Sequence, residues 1–260
     1  MLRELWEYLT TPASRTARRL GYVAKAVALG ARHRRQRRAW TPHVEAARRF
    51  VLDAAAQAAP GRALIAGSGR LIEVPLAELA ARFDAVVLAD LVHPRAVRRQ
   101  ARRFGNVTLA EIDLTGALDR MEDRGADGVL SPAPPDPIPP DLGRFDFAVS
   151  CNLLSQLPLL PLEALERRGV GEAPRAAFAR ALVTAHLEWL RGCADVAALF
   201  TDTERHWLEH GRPVAHNESL WGVPLPPPDL TWAWDIAPRG EEDRRLDLRL
   251  TVAAWRNLNA

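Results

Sequence analysis

The chain has 260 residues, 48% of them hydrophobic, which excludes a disordered chain and leaves room for one α/β domain with an added segment. Lys25 is the only lysine among the 35 basic residues, an arginine bias typical of a GC-rich and, we expect, bacterial genome. Neither an apolar signal region nor a run of about 18 apolar residues is present, and Cys151 and Cys193 lack metal spacing. We therefore expect a cytoplasmic protein without a membrane span.

Positive charge is concentrated in the first 50 residues. Twelve basic side chains against three glutamates give this region +9, so the other 210 residues carry −6 to reach the total of +3. The densest run is Arg32–Arg38, and apolar residues recur around it at helical spacing. We expect residues 1–58 to form a basic helical extension. Its basic face is either a solvated surface or a contact for nucleic acid, anionic lipid or an acidic protein.

The stretch Arg62–Pro94 predicts strand, glycine turn, helix and strand. Ala63–Ala66 and Ala85–Asp90 are apolar runs typical of strands buried on both faces. Gly67–Gly69 separates the first strand from a helix predicted over Leu71–Arg82. In such a β-α-β unit, helix amides point at the turn and the acid ending the second strand accepts hydrogen bonds from a ribose diol.

Further strands follow with polar residues at their carboxyl ends. We predict them over 106–113, ending at Asp113, over 145–152, and over 194–200. Helical segments separate these strands, so the sheet is expected to be mostly parallel. Its ligand crevice then lies at the carboxyl ends, where the polar residues gather.

This order of elements resembles the class I S-adenosylmethionine-dependent methyltransferases over residues 60–258. LIAGSGRL corresponds to the family's first motif, and FDFAVSCNLLSQLP corresponds to its fourth. WAWDIAPRGEED and RLDLRLTVAAW are similar to the antiparallel hairpin that ends the fold. The resemblance implies a Rossmann-like α/β fold over residues 59–260, with a mostly parallel central sheet and a C-terminal antiparallel hairpin. Helical N-terminal extensions in this class often cover the substrate pocket, which implies a lid role for Leu5, Trp6, Tyr8 and Tyr22.

The resemblance also implies S-adenosylmethionine as cofactor, with S-adenosylhomocysteine as product. Asp90 would bind the ribose hydroxyls and Asp113 the adenine amino group. The implied cofactor-binding residues are Ala66, Gly67, Ser68, Gly69, Asp90, Leu91, Asp113, Leu114, Cys151 and Asn152. On the acceptor side the candidate catalytic residues are Asn152, Gln156 and His206. Asn152 either orients an acceptor or caps a turn, and His206 is either a general base or a surface histidine.

Three positions depart from the family pattern. Ile65 replaces the first-motif acid, and Leu71 replaces the third glycine. Glu73 either compensates for the missing acid or faces solvent. Arg70 beside the turn opposes a sulfonium by charge, and suits the methionine carboxylate or another anion.

Several functions follow from these observations. The leading hypothesis is transfer of a methyl group to an unidentified small-molecule or macromolecular acceptor. Alternatives are a methyltransferase-derived binding or scaffold protein without turnover, a nucleic-acid methyltransferase using Arg32–Arg38, and hydride transfer with a nicotinamide cofactor bound through Asp90. Serine-hydrolase, zinc-protease, Walker and paired C-x-x-C motifs are absent from the sequence. The proline-rich segment 131–140 is either a stiff surface loop or a P-x-x-P ligand.

Overall fold

The computed structural model describes residues 2–118 and 142–260, so the proline-rich segment 131–140 lies outside the described residues. In these two ranges, no helix has the length and apolar character needed to span a bilayer. The helices are α1 Leu2–Thr10, α2 Arg15–Arg19, α3 Tyr22–Arg35, α4 Arg37–Ala55, α5 Leu76–Arg82, α6 Arg95–Ala101, α7 Leu159–Glu166 and α8 Glu172–Cys193. The strands are β1 Arg62–Ala66, β2 Ala85–Asp90, β3 Val107–Glu111, β4 Phe145–Cys151, β5 Ala194–Glu209, β6 Arg212–Glu218, β7 Leu230–Ala237 and β8 Asp247–Trp255.

One eight-stranded sheet organises the molecule, in the order β3-β2-β1-β4-β5-β8-β7, with β6 paired to β5. Strands β1 to β5 pair in parallel, whereas β8 is antiparallel to both β5 and β7. The predicted Rossmann-like sheet with its C-terminal antiparallel hairpin is therefore confirmed. Strand order reverses at β1, between β2 and β4, and a ligand crevice forms at such a switch point.

The helix after the glycine turn is shorter than the sequence predicts. It begins at Leu76 instead of Leu71, because Leu71 has a left-handed backbone (φ 59°) and Pro75 directly precedes the first helical residue. The prediction that helix amides point at the turn was therefore wrong. Seven residues lie between Ser68 and the first residue of α5, and they form a loop.

The sheet also extends further than predicted after its fifth strand. β5 continues through Glu209, beyond the predicted end at residue 200, and forms a hairpin with β6. β6 is exposed along its whole length. Because neither face is buried, β6 lacks the apolar alternation by which a strand is recognised.

Helix α4 is part of the central core. The Trp40 indole donates to the Ile236 carbonyl at 3.0 Å and meets Trp234 edge to face at 4.8 Å. Phe50 is 1% exposed and packs edge to face on Phe200. Full burial of each such aromatic side chain stabilises the fold by about 1.5–3 kcal/mol. Within the predicted extension, α4 therefore belongs to the core, while the boundary at residue 58 stays a prediction.

Candidate functional site

The glycine turn joins β1 to the loop before α5 at the switch point of the sheet. Gly67 and Gly69 have positive φ values, 72° and 50°, as the turn requires. Leu71 stands where a third glycine was expected, and its φ of 59° is also left-handed. The turn therefore keeps its backbone course although a side chain replaces the glycine, at a cost of about 1–2 kcal/mol.

The first amides of this turn are used within the protein. The N–H groups of Gly67 and Ser68 donate to the Ala89 carbonyl, at 2.9 and 3.2 Å. The N–H of Gly69 donates to Asp90 Oδ2 at 2.7 Å. A phosphate-binding turn presents such N–H groups to its ligand, usually with a helix N-terminus behind them. This turn offers neither, so it is not built as a phosphate cradle.

Asp90 combines acceptor atoms with a space beside them. Its Oδ1 accepts the Val92 N–H at 3.2 Å and its Oδ2 accepts that of Gly69, and the four lone pairs of the carboxylate exceed its backbone donors. Burial raises the pKa of this carboxyl, and the backbone N–H bonds oppose the rise. A Cβ placed on Gly69 would lie 4.0 Å from Asp90 Oδ2, with nothing nearer than 3.7 Å. Asp90 can therefore accept hydroxyl donors from a ligand next to Gly69.

Asp113 is more fully engaged. Its Oδ1 accepts both the N–H and the hydroxyl of Thr115, at 2.8 and 2.6 Å. Its Oδ2 accepts the Leu118 N–H at 2.9 Å. The side chain thus organises the loop after β3, and one lone pair on Oδ2 is left for a ligand. Its contact with an adenine amino group stays a prediction.

Tyr22, the first residue of α3, carries a hydroxyl that the charges of these carboxylates affect. The hydroxyl oxygen is buried and has no hydrogen-bond partner within the described part of the chain. Burial raises the pKa of Tyr22, and so do the negative charges of Asp113 and Asp90. The side chain packs in the same apolar cluster as Leu91. Because a buried hydroxyl without a partner is costly, a ligand that hydrogen-bonds to this atom would remove that cost.

The structure gives Arg70 a partner that the sequence did not indicate. Its Nη1 donates to Glu7 Oε1 at 2.6 Å and to the Ala26 carbonyl at 3.2 Å. Both side chains of this ion pair are only 13% exposed. Arg70 therefore ties α1 and α3 to the glycine turn, and is not presented to an anionic ligand as the sequence suggested. We found no sequence signal for this pairing across 63 positions.

Ile65, another departure, and Glu73, the acid expected to compensate for it, both face the protein. Ile65 is 0% exposed within β1. Glu73 is directed at α4, where its Oε1 lies 3.2 Å from His43 Nε2. The His43 ring also accepts from the Trp232 indole and stacks on Trp234. Glu73 is thus held by a structural histidine.

The four predicted lid residues have different environments. Tyr22 packs in the same apolar cluster as Leu91, and Tyr8 packs under the Arg18 guanidinium at 5.3 Å. Leu5 and Trp6 are each 55% exposed on α1. Tyr22 alone among them carries an unsatisfied buried polar atom, so it is the residue through which a lid would contact a ligand.

Two of the three acceptor-side candidates are brought together after β4. Asn152 is 4% exposed, adopts a left-handed backbone (φ 48°), and its Oδ1 accepts the Asp202 N–H at 3.3 Å. Gln156 is exposed and donates to the Asn152 carbonyl at 2.6 Å. His206 lies on the part of β5 that pairs with β6, with Nε2 3.0 Å from Thr251 Oγ1. Their catalytic roles stay predictions.

The remaining predicted cofactor residues are buried. Ala66, Leu114 and Cys151 are 0%, 5% and 5% exposed, and the pKa of the Cys151 thiol is raised by burial and by Glu73. Ser68 is 2% exposed, and its hydroxyl lies 3.2 Å from His93 Nε2. These side chains are therefore part of the packed interior next to the glycine turn.

Two buried serine–histidine pairs flank the crevice. Besides Ser68 and His93, Ser150 Oγ lies 2.9 Å from His186 Nε2. Burial lowers the pKa of both histidines to about 4. None of the four residues is more than 2% exposed, so the pairs are structural and not nucleophile–base pairs.

Acid should destabilise the protein through these histidines. The folded-state pKa of His186 is about 4 against an ordinary value of 6.5, so the unfolded chain binds the extra proton between those values and stability falls as pH drops from 6.5 towards 4. We expect a loss of about 2 kcal/mol per histidine at pH 5 relative to pH 7.5. Urea unfolding at both pH values measures it. His186→Gln should reduce the difference, whereas exposed His210→Gln should leave it unchanged; an equal difference in all three proteins would contradict the assignment.

The arginine cluster is largely paired within the chain. Arg32 and Arg35 bind Glu241, whose pKa falls to about 2, chiefly through the Arg35 hydrogen bond. Arg34 binds Glu4 at 2.6 Å. Arg37 and Arg38 are exposed. Much of the cluster therefore holds the helices to the loop between β7 and β8, and a nucleic-acid contact stays a prediction.

Comparisons with known proteins give remote structural likenesses. No protein-family profile matches the chain, and neither does any curated protein sequence. N-methyltransferase NodS from Bradyrhizobium japonicum WM9 in complex with S-adenosylhomocysteine is similar with 12% identity and a TM-score of 0.35, over 80% of this chain and 85% of that one. Burkholderia thailandensis 1,6-didemethyltoxoflavin-N1-methyltransferase, with 1,6-didemethyltoxoflavin and S-adenosylhomocysteine bound, is similar with 14% identity and a TM-score of 0.37. The match covers 82% of this chain and 77% of that one. Likenesses at this level carry no inference about function, which depends on the site itself.

Proposed function

We propose that the chain is an S-adenosylmethionine-dependent methyltransferase acting on an unidentified acceptor. The observation that carries the proposal is the buried hydroxyl of Tyr22, which has no hydrogen-bond partner among the described residues and whose pKa is raised by burial and by the charges of Asp113 and Asp90. The site presents oxygen acceptors and one free hydroxyl, while the turn's first amides are used internally. This set suits a ligand with a diol and an amino group better than a dinucleotide, whose pyrophosphate needs N–H donors.

The residues present fit the adenosyl cofactor, which when bound supplies an electrophilic methyl group on a sulfonium. Asp90 would accept hydrogen bonds from the ribose hydroxyls, and Asp113 would accept one from the adenine amino group through Oδ2. Tyr22, at the start of α3, would cover the bound cofactor. The protein's task is to exclude water and hold the acceptor in line. Asn152 and Gln156 are the residues we assign to acceptor positioning. A cytoplasmic location and a bacterial source remain part of this proposal.

Calorimetric titration with S-adenosylmethionine and S-adenosylhomocysteine tests the proposal, with NAD⁺ as the control ligand. Saturable micromolar binding of the adenosyl ligands without NAD⁺ binding is expected. Binding of NAD⁺ alone would favour hydride transfer. Binding of none would overturn the proposal in favour of a scaffold protein.

Tyr22→Phe separates a ligand contact from a packing role. It keeps the ring and removes the unsatisfied hydroxyl, so the free protein should be equally stable or more stable, by up to about 1 kcal/mol. Affinity for S-adenosylhomocysteine should fall by about 0.5–1.5 kcal/mol, roughly two- to tenfold. Thermal unfolding and calorimetry provide the two readouts. A loss of stability without a loss of affinity would remove Tyr22 from the site.

A binding or scaffold role is the second candidate, and the pair between Arg70 and Glu7 favours it. This pair and the bond from Arg70 to the Ala26 carbonyl hold α1 and α3 against the turn. Asp113 likewise directs most of its acceptor capacity at its own loop. A protein that no longer admits a cofactor would retain both features, and the titration described above distinguishes the two functions.

A further inference from the structure

Three side chains with metal-binding atoms meet on the hairpin formed by β5 and β6. Glu204 and His206 lie two residues apart on β5, and His216 lies directly opposite His206 on β6. One ligand atom from each residue can be chosen so that all three lie within 4.8 Å of one another. Imidazole nitrogen and carboxylate oxygen are the donors of many zinc sites.

The strands hold these side chains on one face of the sheet. Residues two apart in a strand share a face, and directly opposed residues have Cβ atoms about 4.5–5.5 Å apart. Glu204 is also opposite Thr251 on β8, next to an irregularity between Asp202 and Glu204. Three paired strands therefore position the cluster, and a site on strands is held more precisely than one on loops.

The observed distances are close to those of a metal site. His206 Nε2 lies 3.1 Å from Glu204 Oε2, and His216 Nε2 lies 3.6 Å from Glu204 Oε1. Zinc bonds of about 2.0–2.1 Å in tetrahedral geometry place donor atoms about 3.3 Å apart. Small side-chain rotations bring the two imidazoles, whose centroids are 5.0 Å apart, onto one ion.

The two arginines near the cluster, Arg249 opposite His206 and Arg205 next to it in the chain, each have a carboxylate partner. Arg249 pairs with Asp235 at 2.6 Å, and Arg205 lies 3.7 Å from Asp202. Solvent reaches the cluster, since the side chains of His206, Glu204 and His216 are 25%, 43% and 53% exposed. A fourth coordination position would therefore be open to water.

We propose that Glu204, His206 and His216 bind one zinc-type divalent ion, with water at the fourth position. The ion joins β6, which is otherwise exposed, to β5 through a cross-strand link. His206 then acts as a ligand through a deprotonated ring nitrogen, and does not act as a general base. The donor set of two imidazoles and one carboxylate selects Zn²⁺, Co²⁺ or Ni²⁺ over Mg²⁺, which prefers oxygen ligands.

Calorimetric titration of the tag-free, chelator-treated full chain with Zn²⁺ tests the site. One equivalent of Zn²⁺ should bind, and Mg²⁺ should not compete. His206→Ala and His216→Ala should each weaken binding by roughly tenfold or more, and Glu204→Gln should also weaken it. His210→Ala is the matched control, because His210 is exposed on the same hairpin and outside the cluster.

Co²⁺ gives a second readout that does not depend on affinity. The wild-type complex should show the visible absorption of four- or five-coordinate cobalt, and His216→Ala should lose it. Zinc affinity that is unchanged in both histidine variants would overturn the proposal. Equal losses in the cluster variants and in His210→Ala would do the same, since they would indicate adventitious surface binding.

Discussion

Asp90→Ala is expected to weaken binding of S-adenosylhomocysteine by about 1.5–3 kcal/mol, roughly 10- to 150-fold. The carboxylate accepts the Gly69 N–H at 2.7 Å, and its removal deprives the ligand hydroxyls of charge-assisted hydrogen bonds. Calorimetric titration of wild type and variant gives the difference directly. Affinity within twofold of wild type in a folded variant would exclude Asp90 from the site.

Asp90→Ala also removes hydrogen bonds that hold the glycine turn, so two control variants are needed. Asp90 accepts the N–H groups of Gly69 and Val92, and Asp90→Ala leaves both without that partner. Asp90→Asn keeps an oxygen acceptor and should lose affinity with a smaller loss of stability. Asp84→Ala changes an exposed acid directly before β2, the strand that Asp90 ends. This variant should bind S-adenosylhomocysteine as the wild type does.

Gly67→Ala is expected to destabilise the protein by about 2–5 kcal/mol. A Cβ at this position would lie 2.8 Å from Leu153 Cβ and 3.2 Å from the Cys151 carbonyl, and the φ of 72° disfavours any side chain. Backbone strain contributes about 1–2 kcal/mol and the clash with β4 about 1–3 kcal/mol. Urea unfolding at pH 7.5 measures the change in the free energy of unfolding.

Gly211→Ala is the matched control for that measurement. Gly211 has a similar φ of 79°, and an added Cβ would meet nothing within 4 Å. It should therefore show the backbone strain alone, about 1–2 kcal/mol. Equal destabilisation by the two substitutions would mean that the loop after β4 moves aside, and that Gly67 is required for its conformation only.

Local sequence patterns were sufficient to predict the five parallel strands and the C-terminal antiparallel hairpin. Runs such as Ala63–Ala66 predict strands because a strand buried on both faces shows uninterrupted apolar residues. The acids Asp90 and Asp113 were placed at the crevice because parallel strands end at a common edge. The strand β6 was missed for the converse reason, since its exposed faces leave no pattern.

Sequence alone determined the fold class, the glycine turn and the two carboxylates at the crevice, because these depend on neighbouring residues and on regular strand geometry. Tertiary structure decided how the site is completed: Arg70 binds Glu7, the turn's amides bond to β2, and Tyr22 is buried where both carboxylates raise its pKa. It also brought His216 to Glu204 and His206. Such contacts join residues far apart in the chain, and their geometry is set by how helices and strands pack, which no local pattern records.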